Sequence, residues 1–153
     1  MKKTILSKEE ASKIRKELNS IWDISRHYWY PLYDCKRNDL IAFDSEYLDT
    51  DSKLIEIKNI FRDRKIMDIY EFREDGISTK ISNIVDYDFW ETEIYFWNNE
   101  SFWFDSSKDW IIYKNHEGTT TFGGLWLVNK LKELWSDWNE NISWDTKNKS
   151  GIK

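Results

Sequence analysis

Apolar residues recur at helical spacing at both ends of the chain and at strand spacing through its middle. Ala11, Ile14, Leu18, Ile21 and Trp22 follow one another at intervals of three and four, which puts them on one stripe of a helix. Ser7-Lys8-Glu9-Glu10 just before them is a capping box, in which the Ser7 hydroxyl accepts from the Glu10 N–H while the Glu10 carboxylate reaches back. The pattern predicts a helix from there to about residue 22. The aromatic stretch from Trp22 to Tyr33 contains Pro31, which turns Tyr30 away from helical geometry, and reads as an irregular packed connection.

Asp39 to Phe43 reads as a short strand, and Asp51 or Ser52 as the cap of a second helix carrying Leu54, Ile57, Ile60 and Phe61. From Lys65 the period becomes two, with Asp75-Gly76 as the turn of a hairpin. Further strands are expected at Thr92–Trp97, Phe102–Phe104, Asp109–Lys114 and Thr119–Gly123. After Gly123-Gly124, the residues Leu127, Leu131, Leu134, Trp135 and Trp138 return to helical spacing. Strands and helices do not alternate, so the expected class is α+β: an antiparallel β-sheet meander with the N-terminal and C-terminal helices packed on one face. The expected boundaries are a single domain over residues 1–138 and a polar C-terminal tail over 139–153.

Composition narrows the classes. With 153 residues and one proline, the chain suits one globular domain and not a linker-rich or disordered one. A single cysteine, Cys35, excludes an internal disulfide and favours a reducing compartment, hence a cytoplasmic protein. Met1 to Leu6 begins like an export signal but reaches Lys8-Glu9-Glu10 before any apolar core forms, so export by that route is not expected. No apolar run approaches the length of a membrane span, about 18 residues.

Charge changes the picture most. Residues 1–37 carry 9 basic and 5 acidic side chains, residues 38–112 carry 8 and 18, and residues 113–153 carry 6 and 5. Within the acidic middle, residues 86–109 hold seven acids against Lys108 alone, interleaved with aromatics. Alternation along Trp90 to Trp97 and Ser101 to Asp105 separates Ile94, Phe96, Phe102 and Phe104 from Glu91, Glu93, Tyr95, Trp97, Trp103 and Asp105. The second set is expected to share one exposed surface. Aromatics anchor a partner and carboxylates steer a basic one, so these six residues are the candidate partner-binding site.

Candidate chemistry is sparse. His27 and His116 are the only histidines, and HxH, HExxH and CxxC spacings are all missing. The expectation is therefore no metal and no cofactor, with His27 among aromatics and His116 in a turn. No GxSxG elbow supports a serine nucleophile, and nothing links Cys35 to a histidine, so no catalytic residue is assigned and the chain is not expected to be an enzyme. Pairs such as Glu91/Glu93 and Asp86/Asp88 have the spacing of carboxylates on one strand face but arise readily among 28 acids. Tyr28, Trp29 and Tyr30 in the basic N-terminal part suit stacking on nucleic acid, yet the net charge of −5 repels phosphate.

The run from Asp109 through Gly124, a hairpin with His116-Glu117-Gly118 at its turn, followed by a helix ending in Trp135 and Trp138, resembles small bacterial proteins of the immunity type. These are cytosolic acidic α+β proteins that neutralise toxin domains. The resemblance covers residues 109–138, carries over no functional residue, and implies only a class, a non-enzymatic binder; joined to the acidic-aromatic meander, it gives the expectation of a cytosolic antagonist or adaptor that binds a basic protein such as a toxin nuclease through that meander. The alternative is a carbohydrate or small-ligand binding protein that uses surface tryptophans, of which the chain has ten to draw on.

Overall fold

A computed structural model describes residues 1–25, 31–33, 35–87 and 100–146. Its first helix follows from its cap. Ser7 is extended, its Oγ accepts from Glu10 N at 3.2 Å, and α1 runs Lys8–Trp22 before Asp23 ends it in the left-handed region at φ 54°. Leu18 and Trp22 are fully buried and Ala11 and Ile14 half-buried, while Ile21, at the margin of the expected stripe, is exposed.

The strands are β1 (Lys2–Ile5), β2 (Leu40–Asp44), β3 (Asp68–Arg73), β4 (Ser78–Ser82), β5 (Ser101–Phe104), β6 (Ile111–Lys114), β7 (Thr119–Gly123) and β8 (Ile142–Asp145). Besides α1, the helices are α2 (Ser45–Leu48), α3 (Asp51–Asp63) and α4 (Leu125–Leu134). Thr50 caps α3, accepting from Lys53 N at 3.3 Å, so the cap falls one residue before the expected Asp51. Among the described residues, no helix is long and apolar enough to cross a membrane.

One eight-stranded sheet has the order β1-β4-β3-β5-β6-β7-β2-β8 with every neighbouring pair antiparallel, which is the expected α+β class. A strict meander covers β5, β6 and β7 only. The β3–β4 hairpin closes at Asp75-Gly76, where Gly76 has φ 91°. β1 occupies the far edge of β4, and β5 pairs with the free edge of β3.

The helices do not share one face, contrary to expectation. Leu18 and Trp22 of α1 pack with Leu40, Phe72, Phe104 and Ile111, whereas Phe61 of α3 and Leu131 of α4 pack with Ile41, Trp103, Ile112 and Phe122. Neighbouring strand residues alternate between the two clusters, so the sheet is the middle of three layers. The physical reason lies in Phe102-Trp103-Phe104: a continuous apolar run has no polar face to give to water, and all four residues of β5 are buried.

The junction of β7 and α4 depends on close approach. A Cβ on Gly123 would stand 2.6 Å from Leu40 Cδ2 and 2.7 Å from the Trp22 ring. Gly124 has φ 113°, and α4 begins directly after it, as the reading of a tight strand-to-helix turn requires.

The expected polar tail is also corrected. Ile142-Ser143-Trp144-Asp145 alternates and forms β8 against β2, with Trp144 opposite Ala42. Trp144 is buried edge-on to Tyr33, with ring centroids 5.4 Å apart, and Asp145 is buried with its carboxylate 2.7 Å from Lys132 Nζ. The domain therefore extends through Asp145.

Candidate functional site

Of the six residues expected to form the binding face, Glu91, Glu93, Tyr95 and Trp97 lie outside the described residues, as does the whole expected strand Thr92–Trp97. Trp103 is a correction. It is 1% exposed in the core between the sheet and the layer of α3 and α4, because that face of β5 is covered. Its Nε1–H donates to Glu71 Oε2 at 2.9 Å and to the Tyr87 hydroxyl at 2.8 Å, and Tyr87 in turn donates to Glu71. Asp105 is half-buried in the turn after β5, where it accepts from the backbone N–H of Ser107 at 3.0 Å and from the Ser107 hydroxyl. That turn is tied to α1: Trp22 Nε1 donates to Lys108 O at 2.9 Å, and Lys108 Nζ lies 3.0 Å from Glu17. Asp105 thus serves the turn, and Trp103 and Asp105 do not form the expected surface with each other.

The sheet gathers a different set of acids. In an antiparallel sheet ordered β3-β5-β6, the end of β3, the start of β5 and the end of β6 lie at one edge. Glu74 follows β3, and its N–H donates to Glu100 O at 2.8 Å; Glu100 precedes β5, and its N–H donates to Glu74 Oε2 at 3.3 Å. Tyr113 of β6 donates its hydroxyl to Glu100 Oε2. The β6–β7 turn is built by Asn115, whose Oδ1 accepts from Glu117 N at 3.0 Å and Thr119 N at 2.9 Å, and by Gly118 at φ 83°. This turn holds His116 between two carboxylates: Nδ1 is 2.8 Å from Glu100 Oε1 and Nε2 is 3.1 Å from Glu117 Oε1. The Glu100 side chain is 12% exposed and the His116 side chain 27%. Asp75, on the same hairpin end, is paired with Arg73 at 2.7 Å.

Other polar groups support structure. Arg37 grips Asp39 through two hydrogen bonds, of 2.9 and 2.7 Å, and lies 3.8 Å from the centroid of the Trp22 ring. Burial pushes the Asp39 carboxyl up, but the hydrogen bonds and charge of Arg37 outweigh it and hold the group below its usual range. Burial pushes the Cys35 thiol above its usual range, the opposite of what activates a nucleophile. Burial, together with the Asp137 carboxylate 2.6 Å away, raises the Tyr47 hydroxyl. A cavity of about 270 Å³ is lined by Trp126 and by Arg64, whose guanidinium lies 4.0 Å from that ring's centroid.

Sequence reasoning counted Glu100 among the acids and placed His116 in a turn but did not join them to Glu74 and Glu117. The signal that could have joined them is strand polarity, which becomes legible once the order of β3, β5 and β6 is known. No protein-family model, no curated protein and no solved structure matches this chain.

Proposed function

We propose that the chain is a non-enzymatic protein-binding module of the cytosol that engages a basic protein, in the manner of an immunity-type antagonist of a nuclease-like toxin. The observation that carries this reading is the acidic end of the sheet. Glu74, Glu100 and Glu117 gather there, and Glu100 directly follows the segment 88–99 that bears Asp88, Glu91, Glu93, Tyr95 and Trp97. Clustered carboxylates raise the encounter rate with a cationic partner, and Tyr and Trp supply contact area at low entropic cost. Trp103 has no part in this surface.

The test is kinetic. Binding of the full chain to the product of the gene immediately upstream is followed by surface plasmon resonance at several salt concentrations. Reversing both charges, Glu91→Lys with Glu93→Lys, is expected to slow association and flatten its salt dependence. Trp97→Ala is expected to raise the off-rate, at a cost of about 2–4 kcal/mol for a hot-spot ring. An unchanged association rate for the charge-reversed chain contradicts the proposal.

A further inference from the structure

We propose that Glu74, Glu100 and His116 form a binding site for one divalent transition-metal ion of the zinc class, with Glu117 as the positioning residue for His116. This goes beyond partner binding and does not depend on it. One donor atom from each of the three residues lies within 4.8 Å of the others. Tetrahedral ligands at about 2.0–2.2 Å from one ion are about 3.3–3.6 Å apart, so closure moves the donors by up to about 1.5 Å, which rotation of the exposed Glu74 side chain can supply.

Two of the three donors already face each other. Glu100 Oε1 is shielded from solvent and accepts no hydrogen bond, although His116 Nδ1 stands 2.8 Å away. At that distance the imidazole nitrogen meets the carboxylate either through its own N–H or as a second ligand of a shared cation, and the missing hydrogen bond leaves the second arrangement open.

Each donor is also held from behind. The second oxygen of Glu100 accepts from Tyr113, Glu74 Oε2 accepts from Glu100 N, and Nε2 of His116 faces Glu117 Oε1 at 3.1 Å. With its proton on Nε2 and directed at Glu117, His116 presents the Nδ1 lone pair to the ion, the carboxylate–histidine–metal arrangement that orients imidazole ligands. Two carboxylates and a neutral imidazole balance a 2+ charge. One nitrogen in the donor set favours zinc and its neighbours over magnesium or calcium, which take oxygen alone.

The experiment is isothermal titration of the untagged full chain with zinc chloride, with magnesium in excess as competitor. We expect saturable uptake of one ion per chain that magnesium does not displace. Glu100→Gln and His116→Ala should abolish it. Glu74→Gln, at an exposed position that leaves the circular dichroism spectrum unchanged, should weaken it at least tenfold. Glu117→Gln should weaken it by about 10–100-fold while keeping the stoichiometry, as loss of an orienting carboxylate does. Absence of saturable uptake overturns the proposal, and so does undiminished uptake by the folded Glu74→Gln chain. No partner enters this titration, and it leaves Glu91, Glu93 and Trp97 untouched, so its failure and that of the binding reading are separable.

Discussion

Glu71 and Glu100 lie on neighbouring strands or their ends, and each accepts a hydrogen bond from a tyrosine, yet their surroundings diverge. Glu71 receives Tyr87 and then the indole N–H of Trp103, neutral donors fixed in the core. Glu100 receives Tyr113 on one oxygen and turns the other toward His116, at an edge where Glu74 and Glu117 also gather. A carboxylate enclosed by donors is part of the architecture, since its hydrogen bonds offset the cost of its desolvation. A carboxylate with an oxygen left facing an imidazole and a second acid has coordination capacity to spare. The difference arises from position: Trp103 donates to Glu71 from the adjacent strand inside the core, whereas Glu100 stands just before β5, beside the β6–β7 turn that carries His116 and Glu117.

The comparison breaks first, and most heavily, at Trp103. Trp103→Ala removes a buried ring and both of its hydrogen bonds, so chemical denaturation should show a loss of about 3–5 kcal/mol. A chain as stable as the parent would return this ring to the surface. Glu71→Ala leaves the Trp103 and Tyr87 donors without this acceptor and should cost about 1–3 kcal/mol in the same assay. Asp39 sharpens the contrast as a carboxylate tied to a charge. Its folded-state pKa is depressed, so its contribution is present above the unfolded pKa and is lost as pH falls through the folded one. Asp39→Asn should therefore flatten the decline in denaturation midpoint at acid pH while lowering stability near neutrality. The smallest effect on stability belongs to the exposed member of the open cluster: Glu74→Gln should stay within about 0.5 kcal/mol of the parent.

Local structure was largely legible in the sequence where a residue type has one conformational use. The Ser7 capping box set the start of α1, Gly118 and Gly123 bounded β7, and Asp75-Gly76 closed its hairpin. The faces of the strands were not legible in the same way. Alternation separates Trp103 from Phe102 and Phe104 but does not say which side meets water, and here neither does. Both edge strands were missed, β1 because two of its four residues are lysines and β8 because Trp144 and Ile142 are set among polar neighbours. The cluster around His116 draws on positions 74, 100, 116 and 117 and depends on the pairing order of three strands, a long-range property that no local pattern encodes.

The most direct test of the distinction between closed and open carboxylates is a zinc-edge anomalous difference map from crystals of the full chain grown with zinc. One strong peak is expected, bounded by Glu74, Glu100 and Nδ1 of His116, with Glu117 on Nε2 and no peak at Glu71. A map with no peak at His116, or with His116 Nδ1 hydrogen-bonded to Glu100 while zinc sits elsewhere, would contradict it.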